Sequence, residues 1–136
     1  MDGILREIAE GRVSLIKVAT WLSVLTIING VYGNMGNQAV VEFARIHRFI
    51  NGRGVRLKQP VLLAVANPIV QFYLRREAGR LKHYVHAVLE SLANLGYLER
   101  DGKRSRFVIT SASPLWYYAQ RGDVDTLYRV VMRVVS

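Results

Sequence analysis

The chain has 136 residues, 51% of them apolar and none of them cysteine; this suits one domain with its own core and excludes disulfides, cysteine nucleophiles and thiolate metal sites. A mean hydropathy of +0.14 excludes a disordered tail, which could not bury enough apolar surface to offset its ordering entropy. The formal charge is +9, from 19 basic and 10 acidic side chains, an excess that favours polyanionic partners.

In chain order, Ile4–Ile28 reads as helical with a break near Gly11. Within Val13–Ile28 apolar residues lie on nearly every side, relieved only by Lys17, Thr20 and Ser23. A helix apolar all round is buried, in its own core or against a second copy. Residues 18–41 carry no charge, a run long enough to span a bilayer. Asn29, Gly30, Gly33, Asn34, Gly36 and Asn37 interrupt its second half, however, and Asp2, Glu7 and Glu10 offset the early arginines, unlike a signal peptide. The expectation is a soluble cytoplasmic chain with no membrane partner.

Asn29–Gly36 reads as a loop, and Asn37 as the cap of a helix Gln38–Ile50 whose Val40, Phe43, His47 and Ile50 share one face. Asn51-Gly52 is a stop signal, Val55–Lys58 a short extended piece, and Pro60–Ala66 a helical turn. Asn67-Pro68 has the cap-plus-proline form of a helix start. That helix is expected to run to Glu77 and to stop at Ala78-Gly79, with a second helix over Arg80–Leu95. In the latter, Leu81, Val85, Val88, Leu92 and Leu95 form one apolar stripe, with Lys82, His83, His86, Ala87 and Glu90 opposite. Gly96 ends it. Tyr97–Arg100, Asp101-Gly102 and Lys103–Thr110 read as a hairpin with an Asp-Gly turn. Ser113-Pro114 opens a helix to Gln120, and Val124–Val135 is amphipathic, with Val124, Leu127, Val131 and Val134 inward.

The charge is local. Residues 45–106 hold 13 basic and 4 acidic side chains, 13 − 4 = +9, while the rest of the chain holds 6 of each. Arginine outnumbers lysine 15 to 4. That ratio suits planar contacts to phosphate and guanine, and it is also a compositional habit of thermophile proteins or of GC-rich genomes.

The order helix, extended piece, helix, turn, helix, basic hairpin over Ile69–Thr110 resembles the winged helix-turn-helix family. Phe72–Gly79 is similar to its supporting helix and turn, Arg80–Leu95 to its recognition helix, and Leu89–Thr110 to its run from a leucine-rich helix end into a basic wing. The long linker Asn51–Asn67 and the helices at both ends depart from the family pattern. The resemblance implies a mainly α fold: a winged helix-turn-helix core over 37–111, a small antiparallel hairpin wing, an N-terminal helical extension over 1–36, and C-terminal helices over 112–136 that dimerise. It further implies a small, nucleoid-associated regulator of archaeal type that binds double-stranded DNA as a homodimer and is not an enzyme. Lys82, His83 and His86 would face base edges, with Arg80 also meeting DNA. The hairpin residues Arg100, Lys103, Arg104 and Arg106 would follow the phosphates beside them, and Arg53, Arg56 and Lys58, with Arg75 and Arg76, would make further backbone contacts. A DNA-coating architectural or virion protein, and a winged-helix protein-interaction module, are the alternatives.

Other local readings are weaker. His83, His86 and Glu90 on one helix face make a partial metal site without a fourth ligand, so no metal is expected. His47 reads as a core histidine. Gly33-Asn34-Met35-Gly36 is similar to the GxxG loop of KH domains but reads as a plain loop. Trp21, Trp116, Tyr117 and Tyr118 read as core or interface. No Walker-type loop, serine elbow or HExxH occurs, and neither a cofactor nor a small-molecule ligand is expected.

Overall fold

The structure, a computed structural model, describes residues 2–30, 40, 43–45, 57–101 and 106–135. Residues 31–36 of the expected loop Asn29–Gly36, His47 and the rest of the helix Gln38–Ile50 beyond Val40, Phe43, Ala44 and Arg45, the stop Asn51-Gly52, Arg53, Val55, Arg56, the turn residue Gly102, Lys103 and Arg104 lie outside these residues, as does the side chain of Arg106. The protein is mainly helical with one small antiparallel sheet. Helix α1 (Asp2–Ala9) is followed by α2 (Leu15–Asn29), α3 (Gln59–Val65), α4 (Pro68–Asn94), strands β1 (Glu99–Asp101) and β2 (Arg106–Val108), α5 (Trp116–Arg121) and α6 (Val124–Val135).

Local chemistry sets most of the boundaries. Gly11 turns the chain between α1 and α2 at φ +69°, a conformation that only glycine adopts without strain. Ser14 then caps α2 by accepting from the Lys17 N–H at 3.4 Å. Asn67 Oδ1 accepts from Ile69 N at 2.9 Å and Val70 N at 3.5 Å, with Pro68 following, as a helix start requires. Asp123 Oδ1 accepts from Thr126 N at 3.1 Å at the head of α6. Ser113 donates to the Tyr97 carbonyl at 2.7 Å and accepts from Leu115 N at 3.2 Å, fixing the turn before α5.

Helix α2 is the centre of the molecule. Every residue from Val18 to Asn29 is buried, and α2 packs against α4, α6, α3 and α5. Its polar residues are accommodated locally: the hydroxyls of Thr20, Ser23 and Thr26 each donate at 2.8 Å to the carbonyl four residues earlier, so no hydroxyl is buried unpaired. Helix α2, expected to be buried in its own core or against a second copy, lies in one buried core with α3, α4 and α6 of the same chain. The apolar stripe of α6 (Val124, Leu127, Val131) is likewise buried, on a helix that packs against α2 and α4 of the same chain.

One expectation is corrected at Ala78-Gly79. No turn interrupts the chain there: α4 is one helix of 27 residues, about 40 Å long at 1.5 Å per residue. The reason is phase. Val70, Leu74, Leu81, Val85, Val88 and Leu92 are all buried, and the seven-residue step from Leu74 to Leu81 keeps the stripe on one face across the glycine. Packing of that stripe on α2 outweighs the roughly 1 kcal/mol that an interior glycine costs.

Candidate nucleic-acid interface

Opposite its buried stripe, α4 presents a continuous exposed face. Arg75, Arg76, Arg80, His83 and His86 are all exposed, and their positions fall within one arc of the helix at 100° per residue. Lys82 lies at the edge of that arc, half-buried. Lys58 is exposed just before α3, while its backbone N–H donates to Asn29 Oδ1 at 2.8 Å. Five of the expected contact residues thus share one ridge, a convergence produced by the very helix continuity that the sequence reading missed.

The guanidinium groups are ordered by neighbours. Arg75 Nε donates to the Ala44 carbonyl at 3.4 Å. Arg76 lies over the rings of Phe72 and Tyr73, at 5.5 and 5.3 Å from their centroids, a cation–π arrangement. Glu77 sits between two arginines, 3.3 Å from Arg76 Nε and 3.6 Å from Arg80 Nη1. Burial pushes the Tyr73 hydroxyl pKa up, and the Glu77 carboxylate adds to the effect. The i, i+3 spacing of Glu77 and Arg80 was readable in the sequence; the stacking of Arg76 was not.

The hairpin is fastened to the last turns of α4. In the β ladder Arg100 stands opposite Phe107. Arg100 Nη2 donates to Glu90 Oε2 at 2.8 Å and to Asn94 Oδ1 at 2.6 Å. Phe107 is buried, with its ring centroid 5.9 Å from that of His86, whose Nε2 is 3.7 Å from Glu90 Oε1. The guanidinium of Arg100, expected to meet DNA, is therefore engaged in holding the hairpin to α4. The hydrogen bond from Arg100, with the charges of Arg100 and His86, holds the Glu90 carboxyl below its usual range.

Among the described residues no group of three or more His, Cys, Asp or Glu side chains is placed to hold a metal, and no helix is long and apolar enough to cross a membrane. Of the aromatic residues, Trp21 is fully buried, whereas Tyr117 is exposed with the Arg121 guanidinium 4.1 Å from its ring centroid. Compared with family models, curated proteins and solved structures, the chain matches none of them.

Proposed function

We propose that the protein binds double-stranded DNA as a non-enzymatic regulator, with the exposed face of Pro68–Asn94 in the major groove and the basic hairpin beside it on the phosphates. One observation carries the reading: Arg75, Arg76, Arg80, His83 and His86 share one exposed arc of a single helix, within the segment that holds the entire net charge. The major groove admits an α-helix, and a basic arc meets phosphates on its walls. The winged-helix order survives the loss of the turn at Ala78-Gly79 if it is shifted along the chain. Helix α3 then acts as the supporting helix, Ala66-Asn67 as the turn, α4 as the recognition helix and β1–β2 as the wing; α3 and α4 do pack together.

Titration of a labelled random duplex, repeated at rising salt, tests the reading. A steep fall in affinity with salt, together with enrichment of particular sequences in a selection, is the expected result. A steep fall without enrichment points to DNA coating. No binding at micromolar protein and low salt overturns the reading.

A second reading, a protein-interaction module, has one observation in its favour. Leu63, Ile69 and Phe72 are 66%, 47% and 65% exposed at the adjoining ends of α3 and α4, and exposed apolar clusters mark protein contacts.

A further inference from the structure

Beside the basic ridge lies a cleft of about 520 Å³, within the size range of small-molecule sites. It is formed where the Gly11 turn carries the chain from α1 into α2 across one flank of α4. The wall from the turn is apolar, made by Ile8, Val13 and Ile16, and the wall from α4 is made by Tyr73, Tyr84 and the pair Arg76 and Arg80.

The charge inside does not balance. Arg76 and Arg80 stand one turn apart with a single carboxylate, Glu77, between them. Each guanidinium carries five N–H donors in a planar fork, and Glu77 is approached by one nitrogen of each. Among its described lining residues the cleft therefore holds a net positive charge and more donors than the Glu77 carboxylate can accept. The stacking of Arg76 on the Phe72 and Tyr73 rings limits its rotamers, which lowers the entropy lost on binding. The Tyr73 hydroxyl, a neutral donor whose pKa burial pushes above its ordinary value, belongs to the same wall.

From this geometry we infer that the cleft is a binding site for a small organic anion: a carboxylate or phosphate head received by Arg76 and Arg80, and an apolar body laid between Ile16 and Tyr84. A planar two-oxygen head matches a guanidinium fork, as it does in bidentate arginine pairs. An apolar body gains from the Ile8–Val13–Ile16 wall, which a bare inorganic ion would leave wet. The inference goes beyond DNA binding and does not depend on it, since the cleft takes its ligand whether or not the ridge binds a duplex.

The test is a titration of the isotope-labelled full chain, in the absence of DNA, followed by amide resonances. The probes are phenyl phosphate, benzoate and inorganic phosphate, used separately. Saturable shifts confined to residues 8–16 and 73–84 are expected, with phenyl phosphate or benzoate at least about tenfold tighter than inorganic phosphate; whichever aryl probe binds more tightly identifies the head group. Arg76→Gln with Arg80→Gln should weaken the aryl probes about tenfold or more. Ile16→Ser, on an exposed wall residue, should weaken the aryl probes and leave inorganic phosphate unchanged. The inference is overturned by shifts that spread over the basic surface without saturating, by equal affinity for all three probes, or by indifference to both sets of substitutions.

Discussion

Gln71 is a buried residue whose role no sequence pattern reveals. Its Nε2 donates at 2.7 Å to the carbonyls of both Phe43 and Val65, tying α4 to the chain before it and to the end of α3. Removing the amide orphans two carbonyls in the interior. Leucine also removes the amide oxygen, which is buried without a partner among the described residues. Gln71→Leu should therefore destabilise the protein by about 1 kcal/mol, one orphaned carbonyl in excess, as urea denaturation would measure. Glu90 makes a different kind of connection. Because Arg100 depresses its pKa, the contribution of the pair is complete above the ordinary glutamate value, about 4.3. It is lost as pH falls through the lower value of the folded state. Arg100→Ala should bring the Glu90 titration, followed by carboxyl carbon resonances, back up toward the ordinary range. At neutral pH the global stability should hardly change, since the pair is solvent-exposed. A Glu90 titration unmoved by the substitution would mean that Arg100 does not hold the hairpin in solution.

At the scale of elements, Gly79 separates the two ways of folding the segment. In a helix-turn-helix with its turn at Ala78-Gly79, the glycine would be suited to a left-handed conformation and alanine would strain it. In the continuous helix a Cβ at Gly79 meets nothing within 4 Å. Gly79→Ala should therefore stabilise the protein by about 0.5–1 kcal/mol; destabilisation of similar size would return the turn to the fold. The same position marks what was legible in the sequence. The cap at Asn67, the break at Gly11, the presence of the hairpin and the amphipathic last helix could be read from local chemistry. Ser113, by contrast, shapes a turn and the helix after it starts only at Trp116, and Asp101, expected in the turn, pairs within β1. The continuity of α4 depends on a long-range fact, the face that α2 offers to it. A glycine between two charged stretches looks like punctuation until the stripe from Leu74 to Leu81 is found to keep its phase. Of the polar face expected opposite the stripe of Arg80–Leu95, His83, His86 and Ala87 are exposed and Lys82 and Glu90 half-buried. That Arg75 and Arg76 join the same face follows only from the continuity of α4. The engagement of Arg100 with α4 was not readable, because cross-element pairing leaves no local pattern.

At the scale of the whole molecule, the protein separates a neutral, apolar interior from a charged outer ridge. Leu22 on α2 is completely buried, so Leu22→Glu places a carboxylate among side chains that cannot solvate it. It should unfold the chain, with a loss of about 4 kcal/mol or more, and circular dichroism should give the same result at all protein concentrations. Unfolding that appears only on dilution would point instead to an interface between copies. The ridge behaves oppositely, since Arg75, Arg76 and Arg80 are exposed and contribute little to the core. Replacing all three with alanine should leave the unfolding midpoint nearly unchanged. If the ridge lies along DNA phosphates, the same triple substitution removes up to three counterion-releasing contacts. The slope of log affinity against log salt should then flatten by up to about three units, and binding should weaken equally on every duplex sequence. Anisotropy titrations at four or five salt concentrations measure both quantities. A slope unchanged by the triple substitution would remove α4 from the DNA interface and leave the positive charge of the segment without a role on this face.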